Sequence, residues 1–178
     1  FGRKFLRASG LVIAGEVIAF GILYQSPENF SKWDHKRLNE FSTHYEEAFT
    51  KAPLIDQDYW YINYLGHPYQ GVFIYSALRS QGGNILESSL FTIGHSFFWE
   101  YIVEGGVERP STQDLIVTPI AGILFGELLH VATDKMSKNG FKWYEIAFVC
   151  VFNPAYALNN GFKFARPKKS STAFSSEK

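Results

Sequence analysis

The chain has 178 residues, and its 17 basic residues balance its 17 acidic residues, so its formal net charge is zero. This balance argues against nucleic-acid binding, because no excess of positive charge is present to attract phosphates. The single cysteine, Cys150, excludes an internal disulfide and a cysteine-rich zinc site. The length fits one domain, and the aromatic content of 17% is typical of membrane interfaces, ligand clefts and subunit contacts.

Residues 1–25 predict an apolar N-terminal helix that forms part of the domain. Arg3, Lys4 and Arg7 lie before or at the start of an apolar stretch, as in a short membrane anchor. Glu16 lies in the middle of this stretch, where a charge costs about 2.5–3.5 kcal/mol on membrane-insertion scales. Two interpretations therefore stay open: a membrane anchor, or a core helix in which Glu16 meets a basic partner.

The rest of the chain divides into three predicted parts. Residues 26–55 interleave charged and aromatic residues, which predicts an amphipathic polar helical connector. Residues 56–162 form the predicted helical core, in which the stretch GHPYQG predicts a Gly/Pro loop before a short helix from Val72 to Arg79. Residues 163–178 are basic and then Ser-rich, which predicts a disordered tail.

Residues 94–106, GHSFFWEYIVEGG, predict one apolar helix that carries two glutamates. At about 100° per residue, Ser96, Glu100 and Glu104 share one stripe, and His95 lies on another. A His–Glu metal pair within this helix is therefore disfavoured, and His95 is interpreted as a core histidine that donates to a carbonyl. Two buried carboxylates need water, a proton or a counter-charge, and Arg79 is the nearest basic candidate in an apolar context.

The next helix is predicted to begin after Ser111, which is a good N-cap, with Asp114 in a capping position three residues later. Gly122 and Gly126 form a small face that allows another helix to approach closely. Residues 143–158 predict the last apolar helix, which the sequence NNG ends.

Sequence motifs of known metal and catalytic sites are incomplete. Glu127 and His130 have the E-x-x-H spacing of di-iron bundles, but those bundles need a second copy of the motif, and this chain has one. No G-x-S-x-G elbow, P-loop or Rossmann fingerprint occurs. We therefore predict no metal site, although the sequence leaves open whether Glu127 and His130 bind an ion, and any cofactor stays unknown.

Four stretches carry a family resemblance: GHPYQGVFIYSALRSQGG, GHSFFWEYIVEG, RPSTQDLIVTPIAGILFGE and the earlier AGEVIAF. They resemble an uncharacterised bacterial family, a domain of unknown function found in envelope proteins of Gram-negative bacteria, over about residues 10 to 160. The pattern has glycine where this chain has His95, and many members continue into a longer β-rich region where this chain has a short tail. A looser similarity to VanZ-like proteins is an analogy only. The positions that match are Asn63, His67, Pro68, Tyr75, Arg79, Ser96, Trp99, Glu100, Glu104, Asp114, Thr118, Gly122, Gly126 and Glu127, with Glu16 in addition.

Together these observations predict an all-α fold, a compact membrane-associated bundle with short apolar helices and a Gly/Pro/aromatic loop. Within it we predict a polar seam, by which we mean a line of buried polar side chains between the helices. In this seam Arg79 and His67 pair with the buried glutamates Glu16, Glu100, Glu104 and Glu127. The candidate catalytic residues are His67, Glu100 and Glu104. The candidate ligand-binding residues are Arg79, Tyr75, Glu127 and Asn63.

This seam has two functional interpretations. In the first, which we favour, it fixes the helix register of a non-catalytic envelope protein that acts as a scaffold or complex subunit and binds lipid. In the second, the chain is an enzyme in which His67 and Glu100 or Glu104 act on a lipid or glycan head group held by Arg79. Whether the chain is an enzyme stays open.

The same observations give expectations for partners and location. We expect membrane lipid and either protein partners or a homo-oligomer, and no nucleic acid. The basic residues of the tail match the basic N-terminal flank, so both would lie on one side of a membrane. The expected location is the bacterial cell envelope, with the outer membrane or periplasmic side favoured over the inner membrane.

Overall fold

The computed structural model describes residues 2–27, 30, 33, 40–55 and 58–167. Within them, two five-residue π turns accompany the α-helices: π1 (Ile62–Gly66) leads into α3, and π2 (Trp99–Val103) follows α4. These residues contain no β-strand, only an isolated parallel bridge between Leu54 and Ser111. The all-α prediction is confirmed. The helices are α1 (Gly2–Gln25), α2 (Phe41–Thr50), α3 (His67–Arg79), α4 (Ile85–Phe98), α5 (Asp114–Asn139), α6 (Trp143–Phe152) and α7 (Pro154–Asn159).

The packing of α3 against α5 forms the centre of the bundle. The two helices touch backbone to backbone, because a methyl group added to Gly71 would lie 2.1 Å from the carbonyl oxygen of Thr118. A methyl group on Gly122 would in turn lie 2.6 Å from the Cα of Gly71. Further along, Gly126 packs on the Tyr75 ring, so the two helices run parallel. Gly122 and Gly126 therefore form the close helix contact that the sequence predicts.

Helix α1 packs against α3 in the opposite direction. Lys4 Nζ donates to the carbonyl oxygen of Gly82, just beyond the end of α3, at 3.1 Å, and Gly15 lies against the ring of Phe73. The apolar core between α1, α3, α4 and α7 is small, and its members are Ala8, Val12, Ile74, Ala77, Leu78, Phe91 and Ala155.

The two ends of the bundle differ in charge. We call the end at which α3 and α5 begin the site end, and the opposite one the basic end. The basic end holds the start of α1 and the end of α5, and the backbone of Phe141 donates to Ala165 there. The N-terminal flank and the described start of the tail therefore lie at the same end. Basic residues at this end are Arg3, Lys4, Arg7, Arg79, Lys135, Lys138, Lys142, Lys163 and Arg166.

The exterior of the bundle is apolar. Among the described residues, α1 and α5 are long and apolar enough to cross a membrane, yet only 17% and 22% of their most apolar stretches are buried. A core helix of a soluble protein would be mostly buried. Large apolar side chains that are more than half exposed include Leu6, Val17, Ile18 and Ile22 on α1, Leu86 and Leu90 on α4, and Ile116, Ile120, Leu124, Leu128 and Val131 on α5.

The prediction of a loop at GHPYQG is wrong, because His67 and Pro68 open α3 directly after π1. Residues 60–66 before Pro68 are already helical, and the i→i+5 bonding of π1 carries the chain past this proline, which cannot donate a backbone hydrogen bond. Gly71 also lies within the helix, and its lack of a side chain allows α5 to approach closely. Pro68 and Gly71, two of the residues that suggested a loop, are therefore compatible with the helix.

Two predicted helices are interrupted. The helix predicted over residues 94–106 leaves α geometry at Trp99, where π2 begins. The helix predicted over residues 143–158 divides into α6 and α7 at Asn153, because Pro154 cannot donate the next backbone hydrogen bond. Much of the predicted connector and all but the start of the predicted tail, residues 28–29, 31–32, 34–39 and 168–178, lie outside the described residues.

Candidate functional site

A histidine and two carboxylates come together at the site end of the bundle. His67 is the first residue of α3, Glu100 lies in π2, and Asp114 is the first residue of α5. One ligand-type atom from each lies within 4.8 Å of the other two. His67 Nε2 is 3.6 Å from Asp114 Oδ2, and the three residues are only 8%, 2% and 3% exposed, respectively. We call these three residues the histidine–carboxylate cluster.

Neighbouring residues hold the side chains of the cluster in place. The hydroxyl of Thr118, one turn into α5, lies 3.2 Å from His67 Nδ1. The backbone N–H of Ser111 donates to Glu100 Oε2 at 2.8 Å. The hydroxyl of Ser111 accepts from the Asp114 backbone at 3.2 Å, as the N-cap prediction requires. Ser111 therefore positions both carboxylate residues at once.

A cavity of about 540 Å³ lies between α1 and α3 beside the cluster. Its walls are mostly apolar, and His67 lines both the cavity and the cluster. Ile22, Phe30 and Tyr69 line it too and are 59%, 42% and 47% exposed, so its rim joins the apolar exterior. Cavities of this volume and composition are typical of small-molecule sites. The other polar lining residues are Glu16, Asp58, Gln70 and Glu104.

Glu16 is the most unusual of the residues that line the cavity. It is 4% exposed, and within the described part of the chain neither of its carboxylate oxygens accepts a hydrogen bond. His95 Nδ1 lies 3.5 Å from Glu16 Oε1, so the interpretation of His95 as a donor to a carbonyl is wrong for this nitrogen. The carboxylate therefore has hydrogen-bonding capacity that a ligand in the cavity can use.

The position of the Glu104 side chain depends on the geometry of π2. The indole N–H of Trp99 donates to Glu104 Oε2 at 2.7 Å, and the Glu104 backbone N–H donates to the Trp99 carbonyl at 2.8 Å. Both bonds span five residues, which is the spacing that a π turn brings together. A wheel drawn at 100° per residue could not place these two residues side by side.

Arg79 forms a second polar group, far from the cluster. Its guanidinium donates to both oxygens of Glu127, at 2.8 and 3.1 Å, and to the carbonyl of Gly83 at 2.9 Å. The Tyr75 hydroxyl also donates to Glu127, at 2.6 Å. Since His67 and Arg79 lie at opposite ends of α3, about 18 Å of helix separates them.

The predicted seam therefore consists of separate groups. The structure brings candidate His67 together with candidate Glu100 but leaves Glu104 with Trp99. Candidates Arg79, Tyr75 and Glu127 form one hydrogen-bonded group at the other end of α3. Candidate Asn63 is buried in π1, 2% exposed. Their roles in catalysis or ligand binding stay predictions.

Asp114 and Thr118 are site residues that the sequence analysis missed. The position of Asp114 predicts only a capping role, and Thr118 matches the family pattern without any predicted role. The small residues held the signal: once Gly71 is paired with Gly122, the residues one turn earlier, His67 and Thr118, must also be neighbours.

The fold and the site together define an all-α bundle with an apolar exterior and a buried histidine–carboxylate cluster beside a cavity. Residues 52–155 match the protein family described as Domain of unknown function (DUF3943). The match covers more than half of the chain, so the chain belongs to this family. The search of curated proteins and the search of solved structures found no significant match.

Proposed function

We propose that this chain is a membrane-embedded protein that binds a lipid in the cavity between α1 and α3. The observation that carries the proposal is the distribution of side chains: apolar side chains cover the exterior of the bundle, and polar and charged side chains are buried inside it. Exposed apolar residues run from Phe5 to Ile22 on α1 and from Ile116 to Val131 on α5, or about 26 and 22 Å of helix. These lengths approach the roughly 30 Å of a bilayer's hydrocarbon core.

The charges at the bundle ends support an orientation. The N-terminal flank, the end of α5 and the start of the tail place basic residues together at the basic end. Basic residues next to membrane spans favour the cytoplasmic side. The site end would then face the periplasm of a bacterial envelope. We place the proposed spans α1 and α5 in the cytoplasmic membrane and not in the outer membrane that the sequence favoured. Both spans are helical, whereas the spans of bacterial outer-membrane proteins are typically β-barrels.

The chemistry of the cavity indicates which kind of lipid fits. Its apolar rim continues the apolar exterior, so an acyl chain can enter from the bilayer. The Glu16 and Glu104 carboxylates line its polar part, and hydroxyl or amine groups are what such acceptors bind. Arg79, the residue predicted to hold an anionic head group, contacts Glu127 instead. We therefore favour a head group rich in hydrogen-bond donors over an anionic one.

The test fills the cavity with a larger side chain. Ala19 lines the cavity, whereas Ala14 is an exposed residue on the same helix and does not line it. The full chain is extracted in mild detergent and examined by native mass spectrometry. We expect wild type and Ala14→Phe to retain a stoichiometric lipid and Ala19→Phe to lose it.

Two outcomes would contradict the proposal. A wild-type chain that carries no lipid, or equal retention by both variants, would contradict lipid binding in this cavity. A chain that leaves the membrane in alkaline carbonate without detergent would contradict membrane embedding. The same spectra report the mass of any complex, and so test the expected protein partners or homo-oligomer.

The position of His67 favours a second candidate function, an enzyme that acts on the lipid head group. His67 lines the cavity and contacts Asp114, so a bound head group would lie beside an imidazole that a carboxylate orients. Vesicles made from total membrane lipid are incubated with wild type and with His67→Gln, and the head groups are compared by mass spectrometry. Conversion by wild type alone would support the enzyme, and identical lipids would refute it.

A further inference from the structure

We infer that the histidine–carboxylate cluster binds a divalent first-row transition-metal cation. This inference goes beyond lipid binding, because it depends on His67, Glu100 and Asp114 and not on the apolar walls of the cavity. The cluster offers one imidazole nitrogen and two carboxylates from three separate elements. Imidazole suits Zn²⁺ and its neighbours, whereas Mg²⁺ and Ca²⁺ prefer oxygen ligands alone.

The distances fit a cation held between the three side chains. Zinc lies about 2.0–2.2 Å from nitrogen and oxygen ligands, so two ligands at a tetrahedral angle are about 3.4 Å apart. His67 Nε2 and Asp114 Oδ2 are 3.6 Å apart. The upper limit of 4.8 Å for the other pairs requires a side-chain adjustment of about 1 Å, which the carboxylates can make by rotation.

The surroundings orient the ligand atoms. Thr118 accepts from His67 when Nδ1 carries the proton, which leaves the lone pair on Nε2, the nitrogen that faces Asp114. Glu100 Oε2 accepts from the Ser111 backbone N–H, which orients this carboxylate within the cluster. Metal-binding histidines and carboxylates are commonly held by such hydrogen bonds.

The charges at the site also favour a cation. The N-terminus of α5, which begins at Asp114, carries about half a positive charge. Ionisation of both carboxylates outweighs this partial charge and gives a net negative site, which a divalent cation can balance. Three protein ligands leave a fourth coordination position, and His67 borders the cavity, so a bound water or head-group oxygen could occupy it.

The test measures metal binding directly. The purified full chain is stripped with chelator in detergent and titrated with Zn²⁺, and the bound metal is counted by native mass spectrometry. We expect one Zn²⁺ per wild-type chain and binding about tenfold or more weaker in Asp114→Asn and Glu100→Gln. His130→Gln is the matched control, because it removes the histidine of the E-x-x-H motif on α5 and should bind as wild type does.

Cobalt gives a second readout that needs no variant. Co²⁺ added to the stripped wild-type chain should show the visible absorption of a low-coordinate nitrogen–oxygen site, and Zn²⁺ should displace it. A wild-type chain that binds neither ion would overturn the inference, as would Asp114→Asn and Glu100→Gln proteins that bind like wild type. A loss of binding in His130→Gln alone would place the metal elsewhere and also overturn it. None of these results changes lipid retention in the Ala19→Phe test, so the two proposals can fail separately.

Discussion

Replacing Gly71 by Ala should separate the two central helices and thereby disturb the site. The added methyl would lie 2.1 Å from the Thr118 carbonyl oxygen and 2.9 Å from the Gly122 Cα. Both contacts are backbone atoms, which cannot rotate away, so α3 and α5 must move apart by about 1 Å. Since Thr118 also holds His67, the displacement reaches the histidine–carboxylate cluster.

The size of the effect follows from two opposing contributions. Overpacking costs about 3 kcal/mol at the upper end of its usual range. Alanine regains about 1 kcal/mol over glycine in a helix interior. The net loss in the free energy of unfolding is therefore about 2 kcal/mol, which lowers the Tm of a chain of this size by about 4–8 °C.

The control for this prediction is Gly94→Ala on α4. Nothing lies within 4 Å of the position that its methyl would take, so the variant should be slightly more stable than wild type. Thermal unfolding in detergent, followed by tryptophan fluorescence, measures both variants. Our description of the central contact is refuted if Gly71→Ala melts at or above the temperature of Gly94→Ala.

Three further predictions concern the other polar groups and the orientation. Arg79→Ala should destabilise the chain by about 2 kcal/mol, because Glu127 loses its charged partner and keeps the hydrogen bond from Tyr75. The double variant Arg79→Met with Glu127→Leu should recover most of that loss. Equal melting of all three proteins would show that the ion pair contributes nothing. Trp99→Phe removes the hydrogen bond to Glu104 and should lower the free energy of unfolding by about 1–3 kcal/mol. Trp60→Phe, at a 66% exposed position, is the control and should have little effect. Similar losses of stability in both variants would contradict the role of the Trp99–Glu104 contact in π2. Helix α2 lies at the site end, because the Tyr45 hydroxyl donates to the carbonyl of Ile102 in π2. In a background with Cys150 replaced by Ala, a membrane-impermeant maleimide should therefore label Glu46→Cys on α2 in intact cells but Lys138→Cys on α5 only after permeabilisation. The reverse pattern would invert the proposed orientation.

Local signals predicted much of the fold. The Ser111 hydroxyl cap and the Gly122 and Gly126 face depend on residues close in sequence, and both occur as predicted. The other half of the predicted capping box differs, because the Ser111 backbone N–H donates to Glu100 and not to Asp114. The loop prediction at GHPYQG failed because Pro68 and Gly71 have the same local signature in a loop as in a close-packed helix. Only the contact between α3 and α5 distinguishes the two cases.

Partner choice in the site could not be predicted from local signals. The sequence showed that Glu16, Glu100, Glu104 and Glu127 needed partners, but any of them could have met Arg79. Parallel packing of α3 and α5 selects Glu127, and it also brings Asp114 to His67 across 47 positions of sequence. Pairing of this kind depends on the register between helices, which no single helix specifies.

The two π turns act as register adjusters for the site. Each holds about one residue more than an α turn, and a one-residue shift rotates a helix by about 100°. π2 brings the Glu104 carboxylate beside Trp99, and π1 leads directly into His67. Deleting one residue from either turn would leave a continuous helix that aims these side chains differently. Chain length within residues 62–66 and 99–103 is therefore as much a part of the site as the side chains themselves.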